Sequence, residues 1–182
     1  MTIIRQAVEA DAANIARVHV ESWRTTYAGL LPDSVLLNLN SAEHESRWWR
    51  QVLARQRRHN FIYVAEHERH GVVGFGSAGP SRDSALHYRG EVYTLYLDDA
   101  FHGEGIGRQM FTALSERLLA ERGPSLVVWV LNGNPSRFFY EALGGRMVAR
   151  RRSTMAGAPI EEIAYGWEDA RTLVADRPYG QA

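Results

Sequence analysis

Short apolar runs alternate along the chain with segments in which apolar residues recur at the spacing of a helix turn. Residues 3–8 form a β-branched run bounded by polar residues, which predicts a first strand. The segment FIYVAEHERHGVVGFGSAG holds two apolar runs around a polar turn that ends at Gly71, a pattern that predicts a hairpin. A later run from Gly90 to Leu97 follows a polar loop and predicts another strand.

Apolar residues recur at helical spacing in four other segments. Residues 11–23 and residues 107–122 each place apolar side chains on one face, so both predict helices. Gly29 and Pro32 interrupt the first pattern, which resumes over residues 41–58. The segment SRFFYEALGG predicts a short helix, because two glycines close it.

The remaining apolar segments predict three more strands. SLVVWVLN is a continuous apolar run, typical of a strand that is covered on both faces. Residues 146–168 read as two strands around a turn at residues 156–159. The order of elements predicts one mixed α/β domain over residues 1–169, followed by a loosely attached tail over residues 170–182.

Composition narrows the classes of function. The chain has 182 residues, and its 21 basic and 21 acidic residues give zero net charge, so no overall field steers it to nucleic acid or to a membrane surface. Cys is absent, which excludes disulfides, thiolate metal sites and a cysteine nucleophile. No apolar stretch reaches about 18 residues, so we predict no membrane span and a cytoplasmic location.

One pair of histidines has a spacing that metal sites also use. His67 and His70 lie in EHERHG, amid charged residues of the predicted hairpin turn. Their surroundings favour a solvated loop over a ligand set. We therefore predict no metal site.

Three closely spaced glycines, Gly103, Gly105 and Gly107, separate a predicted strand from a predicted helix. The first N–H groups of a helix lack partners within the helix, and such a turn presents them to a phosphate or pyrophosphate. A dinucleotide-binding fingerprint needs a third glycine where Arg108 stands, and a P-loop needs Lys, which the chain lacks. A close-spaced anion-binding turn remains, with a plain strand-to-helix turn as the alternative.

Two segments resemble a known family, the GCN5-related N-acetyltransferases (GNAT). FHGEGIGRQMFTAL is similar to the family's acyl-CoA signature, with His102 where Arg or Gln is the common choice and with Gly105 and Gly107 in the glycine places. VWVLNGNPSRFFYEALGG is similar to the family's second CoA-side segment. Together with the order of elements, the resemblance covers residues 3–168.

The resemblance implies a fold and a binding site for acetyl-CoA. The fold is a mixed, mostly antiparallel sheet of six to seven strands flanked by helices, with the fourth and fifth strands splayed apart. Asn134 would bind the pantetheine side, and Tyr140 would lie beside the thioester sulfur. Arg108 and Arg137 are candidate partners for a phosphate because they lie next to the two motifs. The backbone of Leu95, Tyr96 and Leu97 would pair with the pantetheine arm, and the pyrophosphate would lie on His102, Gly103, Glu104, Gly105, Ile106, Gly107 and Arg108.

Chemistry suggests roles for two of the polar side chains. Tyr has an ordinary pKa of about 10, so Tyr140 would be protonated at neutral pH and able to give a proton to a leaving thiolate. Glu91 is our candidate base, since strict alternation would place it on one face with Tyr93, Leu95 and Leu97. The alternatives are that Tyr140 only packs and that Glu91 is an ordinary exposed residue at a strand start.

The sequence indicates fewer residues for binding the amine acceptor than for binding acetyl-CoA. Trp23 and Tyr27 lie one helical turn apart at the end of the first helix, where aromatic rings would hold a cationic or aromatic acceptor. Tyr93 is predicted to join them, and simple packing between helices is the alternative.

The sequence thus predicts an acetyl-CoA-dependent N-acetyltransferase that acts on a primary amine. Direct transfer in a ternary complex is expected because an acyl-cysteine cannot form. The alternative is a non-catalytic CoA-binding or regulatory module with the same fold. A homodimer is the default assembly, because dimers are the commonest oligomers of soluble proteins.

Overall fold

Seven strands form a single sheet in the computed structural model, which describes residues 1–33, 36, 46–52, 60–155 and 157–175. The strands in chain order are β1 (Thr2–Gln6), β2 (Phe61–His67), β3 (Gly71–Pro80), β4 (Gly90–Leu97), β5 (Leu126–Leu131), β6 (Arg146–Met155) and β7 (Ala158–Trp167). The helices with both ends described are α1 (Ala12–Thr26), α2 (Ile106–Arg122), α3 (Arg137–Ala142) and α4 (Arg171–Ala175).

The strand order in the sheet is β1-β2-β3-β4-β5-β7-β6, and every neighbouring pair is antiparallel except β4 and β5. The parallel pair is short, because its last paired residues are Val92 and Val128. Beyond them the two strands diverge. The predicted mixed, mostly antiparallel sheet with splayed fourth and fifth strands is therefore confirmed.

A β-bulge interrupts β4 at Tyr93. Ser77 of β3 pairs with Thr94, whereas the next residue, Ala78, pairs with Val92, so Tyr93 is the extra residue on the bulged strand. Neighbouring residues of β3 point to opposite faces, so their partners Thr94 and Val92 also point to opposite faces.

The bulge corrects one prediction made from strict alternation. Glu91 shares a face with Thr94 and Tyr96, whereas Leu95 and Leu97 point to the opposite face. The predicted common face for Glu91, Leu95 and Leu97 is wrong, because the extra residue reverses the alternation between them.

Helices cover both faces of the sheet. On one face, α2 buries its apolar side against β3 and β4, where Gly74 and Gly76 leave room for it. On the other face, α1 packs Ile15 and Val18 against β2 and β3, together with Trp48. We call the first the α2 face and the second the α1 face.

Most predicted elements agree with the structure within a few residues. Of the predicted helix over residues 41–58, residues 46–52 are helical and the others lie outside the described residues. In the predicted tail, Leu173 of α4 is buried in the core cluster of the α2 face, and residues 176–182 lie outside the described residues. Among the helices described, none has the length and apolar character needed to cross a bilayer.

Candidate active site

The divergence of β4 from β5 opens a gap between residues 93–97 and residues 129–131. We call it the β4–β5 gap. Backbone groups of β4 that face it have no partner strand on that side. The predicted contacts of Leu95, Tyr96 and Leu97 with an extended ligand lie along this gap, and they stay predictions.

The glycine turn lies at the end of β4 and begins α2. Gly103 and Gly105 have φ values of +81° and +79°, a left-handed conformation that glycine adopts without strain. Gly105 is the residue before the first turn of α2, and no side chain caps the helix there. The N–H groups of the first turn thus lack a capping acceptor, and a Cβ placed on Gly103 or Gly105 would meet nothing within 4 Å. This open, donor-rich turn fits a pyrophosphate.

His102 holds the turn to the strand before it. Its Nε2 lies 3.1 Å from the carbonyl oxygen of Leu97, and Nε2 is 3.7 Å from a carboxylate oxygen of Asp99. The imidazole therefore closes the short 3₁₀ turn over residues 99–101. That contact gives the ring nitrogen at position 102 a structural role.

Asn134 shapes the entry to α3. Its Oδ1 accepts from the backbone N–H of Ser136 at 2.8 Å, and its carbonyl oxygen accepts from the N–H of Arg137 at 3.1 Å. Phe139 would lie 3.7 Å from a Cβ at Gly107, so α3 packs against the first turn of α2. The predicted ligand contacts of Asn134 and Arg137 stay predictions.

The Tyr140 ring is buried within the α2 face. It lies 5.6 Å from the ring of Phe111, 5.2 Å from that of Phe139 and 6.3 Å from that of Tyr165, on which it stacks. Its hydroxyl has no hydrogen-bond partner among the described residues. Burial raises the pKa of Tyr140 above its ordinary value, and the nearby Tyr27 raises it further. The phenol is therefore protonated throughout the neutral range.

Three aromatic side chains meet on the α1 face. Trp23 donates from Nε1 to the hydroxyl of Tyr96 at 3.0 Å, and the hydroxyls of Tyr27 and Tyr96 are 3.4 Å apart. Burial raises the pKa of Tyr96, with smaller effects from Tyr27 and Tyr140. The rings of Tyr140 and Tyr96 belong to opposite faces of the sheet, yet each of Tyr27 and Tyr140 contributes to raising the pKa of Tyr96.

The side chain of Tyr96 is the member of this group that sequence reasoning missed. Only its backbone was predicted to take part in the site. A strand tyrosine carries no local signal for its face when an undetected bulge precedes it. An apolar cluster, which we call the Tyr27 cluster, also lies here and consists of Tyr27, Leu31, Leu36 and Leu131. The partly buried residues packed against it are Trp23, Tyr96, Met155, Ala158 and Ile160.

Glu91 lies in a different environment from the one predicted. Its side chain is only 1 % exposed. The Arg82 backbone N–H donates to Oε2 at 2.8 Å and the Arg82 Nε donates to Oε1 at 3.0 Å, so one residue engages both oxygens. A carboxylate in such a pair is compensated in charge, and a proton-accepting role requires the pair to open. The role of Glu91 stays a prediction.

Tyr93 contacts the same loop. Its hydroxyl donates to the carbonyl oxygen of Pro80 at 2.6 Å, and the Arg82 guanidinium lies 4.4 Å from its ring centre. Trp23 and Tyr27, by contrast, contact Tyr96.

Among the residues described, no group of three His, Asp or Glu side chains is arranged to hold a metal ion. The rings of His67 and His70 instead lie 5.3 Å and 5.4 Å from that of Phe101.

Comparison with known proteins agrees with this architecture. Residues 58–144 match the family model described as an acetyltransferase (GNAT) domain. The chain is 37 % identical over 173 residues to the uncharacterized N-acetyltransferase YuaI of Bacillus subtilis (strain 168), covering 95 % of this chain and 96 % of that protein.

Solved structures with low sequence identity share the fold. The ribosomal-protein-alanine N-acetyltransferase of Brucella melitensis superposes with a TM-score of 0.70 at 22 % identity, over 91 % of this chain and 98 % of that one. The putative acetyltransferase yncA of Salmonella typhimurium, solved with acetyl-CoA, gives 0.70 at 20 % identity, over 100 % and 98 %. The PaiA N-acetyltransferase of Thermoplasma acidophilum, solved with coenzyme A, gives 0.69 at 18 %, over 89 % and 98 %. The identity to YuaI along nearly the whole chain, the matching domain and the shared fold show that this chain belongs to the GNAT acetyltransferase family.

Proposed function

We propose that this protein transfers an acetyl group from acetyl-CoA to a primary amine. The observation that carries the proposal is the Tyr140 phenol on α3, which follows the splayed end of β5, is packed between Phe111, Phe139 and Tyr165, and has a hydroxyl that is unpaired among the described residues. The open glycine turn at the start of α2 gives independent support, because it fits a pyrophosphate.

The residues around the gap would hold acetyl-CoA, which supplies a thioester-activated acetyl group. N–H groups of residues 103–108 would bind the pyrophosphate, with Arg108 and Arg137 as cationic partners for phosphate. The backbone of residues 95–97 would pair with the pantetheine amides, and Asn134 would contact the same arm. The acyl group would then lie beside Tyr140.

Tyr140 would act as the proton donor to the leaving thiolate. An ammonium acceptor first loses one proton to water, and its nitrogen then attacks the thioester carbonyl carbon, so that the new C–N bond forms and the C–S bond breaks. The Tyr140 O–H gives its proton to sulfur. The resulting phenolate is strongly basic, because burial raises the pKa of Tyr140, and it recovers a proton from the nitrogen that becomes the amide.

Transfer would be direct, because the chain offers no cysteine to carry the acetyl group. Initial rates at varied acetyl-CoA and amine concentrations should therefore give intersecting double-reciprocal lines. Parallel lines would indicate an acetylated enzyme and would contradict direct transfer.

One observation favours the alternative, a non-catalytic CoA-binding or regulatory module. The predicted base Glu91 is held by Arg82, so the site has no free carboxylate at that place. The two functions differ in whether CoA is released.

A thiol-release assay with acetyl-CoA and a broad panel of primary amines, peptides and amine antibiotics tests the choice. We expect CoA release with at least one amine class and none without the protein. Tight acetyl-CoA binding with no release above the amine-free rate across the panel would support the alternative instead.

A further inference from the structure

An ion pair lies on the α1 face beside the acceptor side of the site. Arg151 of β6 donates from Nε to Oε2 of Glu162 in β7 at 2.7 Å. The two partners differ in burial, since the Glu162 side chain is 13 % exposed and that of Arg151 is 41 % exposed. The carboxylate is thus fixed within the fold, and the cation reaches it from the solvent side.

Sheet register places Glu162 next to the Tyr27 cluster. Glu162 pairs with Leu131 of β5, and paired residues in an antiparallel ladder share a face. Leu131 is a member of the cluster, and Ile160, two residues before Glu162 on the same face, borders it. Burial raises the pKa of Tyr27, and the negative charge of Glu162 adds to that rise, so the carboxylate and the Tyr27 hydroxyl lie within electrostatic reach of each other.

Arg151 also lies over the ring of Trp129. Its guanidinium lies 3.9 Å from the ring centre of Trp129, and the indole Nε1 of Trp129 is buried with no acceptor among the described residues. A guanidinium has no acceptor to offer, so Arg151 does not satisfy this N–H. The guanidinium therefore contributes a cation–π contact to the ring but no hydrogen bond to the indole N–H.

We propose that Glu162 binds the ammonium group of the acceptor amine, and that Arg151 covers Glu162 between turnovers and is displaced by the acceptor. The apolar and aromatic walls of the Tyr27 cluster then contact the remainder of the acceptor. The assigned class is therefore primary amines that carry an apolar or aromatic body. This assignment rests on the proposed acetyl transfer, since it concerns the acceptor of that reaction.

Glu162 suits this task better than Glu91 does. Both oxygens of Glu91 accept from Arg82, one from the side chain and one from the backbone N–H, and the side chain is 1 % exposed. Glu162 accepts only from the half-exposed side chain of Arg151 among the described residues, through Oε2. An ammonium can replace a side-chain cation from solvent, whereas it cannot replace a backbone N–H of the fold.

Two substitutions should change amine affinity in opposite directions. Glu162→Gln keeps the shape and removes the charge, so the affinity for phenethylamine, measured by titration calorimetry on the CoA-loaded protein, should fall about tenfold or more. Arg151→Met keeps an apolar cover on Trp129 and removes the competing cation, so the same affinity should rise roughly threefold or more. Affinity for acetyl-CoA should be unchanged in both variants, which also reports that they fold.

A second ion pair provides matched controls. On α2, Arg117 donates from Nε to Glu121 at 2.5 Å, and its guanidinium lies 5.7 Å from the ring centre of Phe61. Glu121→Gln and Arg117→Met repeat the same chemical changes away from the Tyr27 cluster. They should leave phenethylamine affinity unchanged.

The readout is binding, so it separates this assignment from the proposed reaction. If the CoA-loaded parent protein does not bind phenethylamine, or if both variants bind it as the parent does, the assignment is overturned even when acetyl transfer is observed. If amine affinity shifts as stated while no amine releases CoA from acetyl-CoA, the ammonium site stands and the proposed acetyl transfer fails.

Discussion

The three glycines of the turn differ in what the backbone requires of them. Gly103 and Gly105 have positive φ, so a side chain at either position strains the turn. Gly107 lies within the first turn of α2, and a Cβ there would meet the Phe139 ring at 3.7 Å, an ordinary van der Waals distance. The fold itself therefore accepts Ala at position 107, and a ligand close to the backbone is the reason to expect Gly there.

Gly107→Ala separates the requirement of the fold from the requirement of a bound ligand at this position. The free energy of unfolding should stay constant or rise by about 0.4–1 kcal/mol, because Ala restricts the unfolded chain and is compatible with the helix. Acetyl-CoA affinity should fall roughly tenfold, since the methyl group adds bulk to the first turn of α2, where we propose that the pyrophosphate binds. Urea unfolding and titration calorimetry measure the two quantities.

Gly71→Ala is the converse control for that variant. Gly71 has a φ of +67° in the turn between β2 and β3, so this variant should lose stability and keep its acetyl-CoA affinity. Unchanged acetyl-CoA affinity in Gly107→Ala would remove Gly107 from the proposed cofactor site.

For single residues, the sequence predicted the backbone conformation better than it predicted which side chains contact each other. The glycine turn followed from spacing alone, because its left-handed backbone at Gly103 and Gly105 favours residues without a side chain. The environment of Glu91 did not, since its partner Arg82 lies in the loop before β4 and loop side chains follow no period. The contact of His102 with the Leu97 carbonyl was unpredictable for the same reason.

Among the elements, β4 determines the geometry of the site. Its limits, Gly90–Leu97, are those predicted from its apolar run. Its bulge at Tyr93 was not predicted, because a bulge is a property of the pairing with β3 rather than of β4 alone. That one residue turns Glu91 and Tyr96 to the α1 face, and it explains why alternation failed for Glu91 and why the Tyr96 side chain was missed.

The contact between α2 and β3 depends on small residues in the strand. A Cβ on Gly76 would lie 2.8 Å from Leu114 Cδ1 and 3.2 Å from the carbonyl oxygen of Thr94. Gly76→Ala should therefore lower the free energy of unfolding by about 1–3 kcal/mol, because the helix or β4 must shift to admit the methyl group. Chemical denaturation measures the change.

Gly107→Ala is the matched control here, since it makes the same substitution where the structure has room. Equal unfolding midpoints for Gly76→Ala and the parent protein would contradict the close packing of α2 on β3.

For the whole molecule, the order of elements and the two motif segments were sufficient to predict the family and the splayed sheet, and both are confirmed. The acceptor side was only partly predictable. Tyr27 and Tyr96 are 69 residues apart in the chain, and their contact depends on how α1 packs on the sheet. The Arg151–Glu162 pair likewise depends on the register of β6 and β7. The cytoplasmic location, the homodimer and the identity of the acceptor stay predictions.

Tyr140→Phe removes the hydroxyl that we propose gives a proton to the leaving thiolate, and it keeps the ring. Tyr165→Phe is the matched control, because Tyr165 stacks on Tyr140 and donates its hydroxyl to Glu141. The measurement is kcat in the thiol-release assay with the best amine of the panel, alongside the Kd for acetyl-CoA. We predict that Tyr140→Phe lowers kcat by about 10²–10⁴ with an unchanged Kd, while Tyr165→Phe retains most of the activity. An unchanged kcat in Tyr140→Phe would exclude Tyr140 as the proton donor to the leaving thiolate.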